Sequence, residues 1–264
     1  MVKTEHEIRT TEGWTPNDAT NRIMGRVDPT EFLLDLDWET EIKRFAPLPE
    51  IPSYVKSSIH GLEGGYGAPF AAATWDGVVK EIFAEYFGDE APYREILPAA
   101  IDGSPSTVLD VACGTGESTL GWHRRYPHAD IIGVDVSPYM LVVAERKTRE
   151  IDNVDVRAAN AEALPFEDGS FEAVTASLLF HELPRDVSPV VLKEMRRVLA
   201  PGGWIAVAEP YRVGGAALKP IPFPEPYLKD YLETDWDEAF RAAGFADVRV
   251  VEIDNGWMRV ARAA

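Results

Sequence analysis

From residue 107 onward, short apolar runs alternate with segments whose apolar positions recur every three or four residues, the pattern of strands alternating with helices. Residues 107–112, 130–135 and 154–158 read as the first three strands, and residues 118–126 and 138–150 as the helices between them. Residues 171–179 then read as a strand, 187–199 as a helix that buries Val191, Met195, Val198 and Leu199, and 204–208 as a strand. This alternation predicts an α/β fold with a doubly wound, Rossmann-like sheet. Local chemistry sets several ends. Ser137 can cap the helix that Pro138 opens, and Glu145 and Arg149 would pair on its face. Pro201-Gly202-Gly203 stops the next helix, and Thr234 can cap another that ends at Gly244. Asp254-Asn255-Gly256 predicts a tight hairpin joining residues 248–253 to 257–260 as antiparallel neighbours.

The first hundred residues carry a different pattern. Trp14, Phe32, Leu33, Leu34, Leu36 and Trp38 form an apolar cluster, and residues 71–87 read as an amphipathic helix with Trp75, Val78, Val79, Ile82, Phe83 and Tyr86 spaced for burial. The chain therefore divides near residue 105, into a mainly helical N-terminal cap, 1–104, and an α/β domain, 105–264, with an insertion at 210–234. That insertion holds Pro220, Pro222, Pro224 and Pro226 interleaved with Tyr211, Phe223, Tyr227 and Tyr231. Proline stiffens it without giving it a hydrogen-bonded ladder, so it is either a pocket wall or a subunit contact, as in a homodimer.

Composition narrows the function. A chain of 264 residues, 45% hydrophobic, can bury one large core with an elaboration or two small ones. Its formal net charge of -18 argues against nucleic acid, since polyanions are bound by basic stripes and here only pairs such as Arg124-Arg125 and Arg196-Arg197 occur. The polar stretch from Met1 to Glu12 has no apolar run, which predicts a cytoplasmic protein with no membrane insertion. The single cysteine, Cys113, has no disulfide or metal-site partner of its own kind and reads as a small buried filler.

The stretch Val108-Leu-Asp-Val-Ala-Cys-Gly-Thr-Gly116 is an apolar strand running into a small-residue loop and a helix. Gly114 and Gly116 allow backbone to approach a ligand, and Asp135, 19 residues after Gly116, can receive two ribose hydroxyls. Nicotinamide and S-adenosylmethionine sites share these features. Two details separate them. The third position of a dinucleotide glycine fingerprint falls on Thr119, and Asp110 already ends the first strand. A carboxylate there repels a pyrophosphate and suits the sulfonium or amino group of S-adenosylmethionine.

Asp110, Gly114, Gly116 and Asp135 resemble the class I S-adenosylmethionine-dependent methyltransferases, whose first motif reads roughly acid-x-G-x-G-x-G, with Ala112 here at the first glycine position. Residues 160–171 are similar to the family's third and fourth motif region, where an Asp-Ala pair contacts the adenine, and here Asn160 and Ala161 hold those places. Val136 and Met140 lie where the family packs apolar side chains against adenine, although helix packing explains Met140 as well. Ser177, at the end of the fourth strand, is counted among the cofactor contacts. The resemblance covers about residues 105–264 and implies a seven-stranded sheet, parallel except for an antiparallel C-terminal hairpin, with S-adenosylmethionine as the cofactor.

For chemistry the outstanding candidate is His181, in Leu178-Leu-Phe-His-Glu-Leu-Pro184, as a base or substrate contact, because it follows the carboxyl end of the fourth strand. It could equally cap a helix or pack, and Glu182 would orient it or face solvent. Tyr66, Trp75 and Tyr211 are expected to line the acceptor pocket, and residues 61–67 form either a lid or a plain loop. No metal site is expected, because the oxygen-rich Asp254-Asn255 is explained by the hairpin. The expected activity is methyl transfer to an oxygen, nitrogen or carbon atom of an apolar small-molecule acceptor, releasing S-adenosylhomocysteine. The alternatives are cofactor-dependent cyclisation or decarboxylation, and a non-catalytic platform subunit.

Overall fold

A computed structural model describes residues 33, 36–56, 64–82, 97–209, 225–253 and 256–263. The apolar runs become β1 (Thr107–Val111), β2 (Asp130–Asp135), β3 (Val154–Ala158), β4 (Phe171–Ser177) and β5 (Leu199–Glu209), followed by β6 (Phe245–Ile253) and β7 (Gly256–Ala263). They form one sheet in the order β3-β2-β1-β4-β5-β7-β6. The first five run parallel. β7 runs antiparallel to both β5 and β6.

Burial follows position. β1 and β4 lie inside the sheet and are buried on both faces, whereas the edge strand β3 alternates buried and exposed residues. The helices are α1 (Trp38–Ile42), α2 (Pro69–Ile82), α3 (Glu117–Arg125), α4 (Pro138–Thr148), α5 (Ser188–Val198), α6 (Leu228–Glu233) and α7 (Trp236–Ala242). Val191, Met195 and Val198 on α5 are fully buried in the cluster that includes Val108, Leu109 and Val174 of the sheet. Because chain order reverses between β1 and β4, their carboxyl ends splay and leave a crevice, the usual ligand position in an open α/β sheet.

The end signals hold in part. The Ser137 hydroxyl accepts the Met140 N–H and Pro138 is the first helical residue, as the sequence indicates. Thr234 instead closes α6, and the Asp235 carboxylate caps α7 by accepting the Glu238 N–H at 3.0 Å. Glu145 does not pair with the Arg149 side chain: it bonds Arg44, while the Arg149 N–H bonds the Glu145 carbonyl at the end of α4. β5 begins at Leu199 rather than 204, because Leu199 pairs with Phe171 before a register shift.

In the N-terminal region, Leu33, Leu36 and Trp38 cluster with Ala71–Ala73, Met140 and Val143. Val78 and Val79 join the core of the sheet. Trp14, Phe32, Leu34, Phe83, Tyr86, the Asp254-Asn255 turn and residues 210–224 lie outside the described residues. Among the described residues no helix is long and apolar enough to cross a membrane.

Candidate functional site

The crevice is a cleft of about 830 Å³, counting its open mouth. Three strand ends build its floor. After β1 come Ala112, Cys113, Gly114 and Thr115; at the end of β2 come Asp135 and Val136, with Met140 behind them on α4; at the end of β4 come Ser177, Leu178 and Leu179. Tyr54, Tyr66 and Trp75 close it from the N-terminal side. The predicted contacts Ala112, Gly114, Asp135, Val136, Met140, Ser177, Tyr66 and Trp75 thus surround one space.

The loop after β1 is tightly wound. Ala112, Gly114 and Gly116 take left-handed φ values of 57°, 54° and 85°. A side chain at Gly114 would meet open space, so an approaching ligand has access to the backbone there. Gly116 does not line the cleft; a Cβ there would come within 3.1 Å of Ala144 on α4, so its smallness lets two helices meet. Ala112 and Leu178 are both non-glycine residues at positive φ, 57° and 61°, and both line the cleft. Backbone strain of this kind concentrates at ligand sites.

Asp135 is buried, and its two oxygens accept the Gly114 N–H at 2.9 Å and the Ser137 N–H at 2.8 Å. Burial pushes its carboxyl up to about 6, against those backbone donors, which favour the charge. Its oxygens keep further lone pairs for ligand hydroxyls. The Ser177 Oγ is buried in the cleft wall with no hydrogen-bond partner among the described residues, a polar atom available to a ligand.

Several predicted contacts are placed elsewhere. Asp110 is fully buried and accepts the hydroxyls of Ser118 and Thr119, both at 2.6 Å; it ties β1 to α3 and does not line the cleft. Asn160 accepts the Glu162 N–H at 2.9 Å in a local turn, and Ala161 packs on the core; neither lines the cleft. Tyr211 lies outside the described residues.

His181 occupies a different environment from that of an acceptor-side base. It is buried in a single helical turn after β4, its ring edge-on to Tyr231 of α6, and its Nδ1 is 2.5 Å from Glu209 Oε2. Burial alone would lower its pKa, but the Glu209 charge and hydrogen bond, with Glu182 and Glu225, raise it to about 9. With the proton favoured on its ring, His181 is better suited to donate than to accept, and it sits behind the cleft rather than in its lining. The other Glu209 oxygen accepts the N–H groups of Leu179 and Phe180, at 3.1 and 2.7 Å, so one carboxylate holds the whole loop. Glu182 does not face bulk solvent: it is buried and lines the cleft.

His181, Glu182 and Glu225 bring one ligand-type atom each within 4.8 Å of one another. One imidazole and two carboxylates are donors of the kind a divalent cation takes, and the sequence reading, which expected no metal site, did not bring them together.

The N-terminal wall is latched to the floor by contacts with no sequence signature. The Tyr66 carbonyl accepts the Ser137 hydroxyl at 2.6 Å, and the Tyr66 hydroxyl donates to Glu182 Oε1 at 2.7 Å. Burial, then the Glu182 charge, hold that phenol well above its usual range, so it remains a donor. Asp76, on α2, accepts the Thr115 hydroxyl and the Lys147 ammonium, each at 2.5 Å, and Lys147 also reaches Glu117 at 2.7 Å. Asp76, Lys147, Glu209 and Tyr54 are the participants that the motifs do not mark.

Residues 108–203 match a family described as a methyltransferase domain. A demethylmenaquinone methyltransferase of Staphylococcus saprophyticus is 32% identical over 179 residues, 58% of this chain and 76% of the relative. One from Thermus thermophilus is 42% identical over 118 residues, 44% of this chain, and the match spans about half, 52%, of that relative. Among solved structures, a SAM dependent methyltransferase from Aquifex aeolicus superposes with a TM-score of 0.58 at 20% identity, over 75% of this chain and 99% of the other. A geranyl diphosphate C-methyltransferase from Streptomyces coelicolor, solved with Mg2+, geranyl diphosphate and S-adenosyl-L-homocysteine, gives 0.55 at 17% identity, over 71% and 85%. At those identities the likeness is one of fold.

Proposed function

Since the chain belongs to the class I S-adenosylmethionine-dependent methyltransferases, we propose that its cleft binds S-adenosylmethionine and that the enzyme methylates an apolar small molecule, releasing S-adenosylhomocysteine. The observation that carries this is the convergence of Asp135, the small-residue loop and Met140 on one cleft. When bound, the cofactor supplies a methyl carbon activated by an adjacent sulfonium. The residues present suit it: Asp135 for the ribose hydroxyls, the exposed backbone at Gly114, Val136 and Met140 for the adenine ring, and the Ser177 hydroxyl for a further polar atom. Asp110 contributes at one remove, by setting the start of α3. Asn160 and Ala161 are assigned to the adenine edge on the family resemblance.

The protein's contribution to rate is chiefly positioning, because displacement at an activated methyl group needs an aligned, desolvated nucleophile more than side-chain chemistry. Tyr66 and Trp75, edge to face at 4.9 Å between ring centres, offer an apolar aromatic wall to the acceptor. The relatives named as demethylmenaquinone methyltransferases make a naphthoquinol-type ring the first acceptor to test. In the same proposal, residues 1–104 cover the acceptor, with Tyr211 as a further contact, and the seven-stranded, hairpin-ended sheet is the family's platform. The insertion at 210–234 is assigned to the pocket or to a homodimer contact. The free, buried Cys113 thiol suits a reducing compartment, consistent with a cytoplasmic location.

Titration calorimetry with S-adenosylmethionine and, separately, NADH tests the cofactor assignment. Saturable binding of the first alone is expected, followed by release of S-adenosylhomocysteine with an acceptor panel. A folded, nucleoside-free protein that fails to bind it would contradict the proposal.

A further inference from the structure

The cleft holds an acidic side chain that the methyl donor's own contacts do not use. Glu182 lies beyond Asp135, on the turn after β4, and shares its stretch of wall with Tyr66, Leu179 and Leu183. It is buried, yet two groups support its charge. Tyr66 donates a hydrogen bond to Oε1 at 2.7 Å, and His181 Nε2 is 3.8 Å from the same oxygen. His181 is in turn fixed by Glu209, which holds the loop backbone as well. The result is a relay of alternating charge, Glu209, His181, Glu182, that ends at the cleft. Of the ionisable carboxylates lining the cleft, Glu117 and Asp135 serve the cofactor loop and its ribose position, while Glu182 borders the aromatic wall.

We infer that Glu182 is the catalytic base of this enzyme, receiving a proton from a neutral, weakly acidic hydroxyl on the acceptor. The inference rests on the methyltransferase reading above. In the step, the acceptor O–H bond breaks and an O–H bond forms on Glu182. The electron pair stays with the acceptor, on oxygen or delocalised to a ring carbon, where the bond to the methyl carbon would form as the methyl–sulfur bond of the bound cofactor breaks and its electron pair goes to sulfur, neutralising the sulfonium. After methylation at carbon the ring C–H proton is lost to solvent, and Glu182 later returns its own proton to solvent. Tyr66 and His181 are positioning residues: they aim the carboxylate and keep it charged.

The same wall states what the acceptor is not. Among the described residues, every fully charged side chain lining the cleft is acidic and none is Lys or Arg. A phosphate or carboxylate on the acceptor would meet Glu182 without a counter-charge, at a cost that grows as water is excluded. Among the described residues this wall disfavours an anionic acceptor.

The groups facing Glu182 set its pH response. Tyr66 and His181 favour its charge; Glu225, before α6, and Asp135, which faces Tyr66, oppose it; Glu209 acts through His181. Turnover should fall on the acid side as Glu182 takes up a proton.

The test uses the full chain, Glu182→Gln and Tyr66→Phe. Calorimetry with S-adenosylhomocysteine comes first, and the proposal expects affinities within about twofold of one another. Failure of the parent to bind it would overturn the methyltransferase reading and this inference together. With the cofactor product bound, the parent should take 1-naphthol at least about tenfold more tightly than 1-methoxynaphthalene, and Glu182→Gln should lose the preference. With 1,4-naphthoquinol as acceptor and cofactor held saturating at each pH, so that the Asp135 effect on cofactor affinity does not enter, Glu182→Gln should lower kcat about 10²–10³-fold with little change in KM and lose the acid limb of the kcat profile. Tyr66→Phe should keep that limb and move it. Normal cofactor binding with no preference for the hydroxyl probe, or Glu182→Gln within threefold of the parent in kcat, would overturn the base assignment and leave the methyltransferase reading standing. Methylation of phosphoethanolamine in preference to the naphthoquinol would do the same for the disfavour of an anionic acceptor.

Discussion

Asp135 shows how one side chain serves two purposes. It organises the loop after β1 through the Gly114 N–H and stands ready for a ribose at the same time. Its carboxyl, pushed up to about 6 by burial, will protonate within an accessible range. Cofactor affinity should therefore weaken as pH falls through about 6, since a neutral carboxyl is the poorer acceptor. Calorimetry between pH 5 and 8 should show this slope in the parent and a flat, weaker profile in Asp135→Asn. Asp135→Ala should cost about 100-fold in affinity, because two backbone N–H groups lose their acceptor as well.

His181 makes a prediction about stability. Its pKa in the folded protein, about 9, lies above the unfolded value of 6.5, so its contribution is complete below about pH 6.5 and is lost as pH rises through about 9. Thermal unfolding should show a decline over that window, worth on the order of 3 kcal/mol at most. His181→Gln should be less stable at neutral pH and should lack the decline. A parent whose stability is flat from pH 6.5 to 9.5 would show that the imidazole is neutral. The sequence marked His181 for its place after β4, correctly as regards location. What it does there depended on Glu209, 28 residues away, which no local pattern connects to it.

At the scale of elements, α2 is the informative one. Its apolar positions announced a buried helix, and Val78 and Val79 do enter the core. It is joined to the cofactor loop by a polar link: Asp76 bridges Thr115 and Lys147. An aspartate in an amphipathic pattern reads as a solvent-facing residue, so the bridge was illegible. Removing it should loosen the wall while sparing the fold. Asp76→Ala is expected to lower cofactor affinity about 5- to 30-fold, with unfolding temperature lowered by only a few degrees, as suits a partly exposed pair. An unchanged dissociation constant would mean that the loop keeps its shape without α2.

Arg196 and Arg197 teach the same lesson. In the sequence the pair counted only as a short basic run, yet Arg197 bonds Glu194, Asp168 and the carbonyls of Leu164 and Phe166, and Arg196 bonds the Gly244 carbonyl. They fasten the loops after β3 and α7 to α5.

For the whole molecule, the cleft joins strand ends, α4 and the N-terminal wall, so a ligand that spans it should stabilise them together. S-adenosylhomocysteine at about 100 times its dissociation constant should add about 2.7 kcal/mol, which raises the unfolding midpoint by about 5–10 °C. Asp135→Ala should lose most of that shift at the same concentration. The molecule's acidity, a formal net charge of -18, agrees with a cleft that offers no basic side chain among its described residues.

The sequence by itself determined the alternation of strands and helices, the tight loop after β1, the acid at the end of β2 and the cap of α4. Each is written within a few residues, in apolar periodicity or in a side chain that bonds its own neighbouring backbone. Tertiary structure alone decided which acids face the cleft. Asp110 turned to the start of α3 and Glu182 to the cavity, because these choices depend on partners at Ser118 and Tyr66 that meet them only when the chain closes. It also decided the charge on His181, since a buried imidazole takes its protonation from the carboxylate that the fold places beside it.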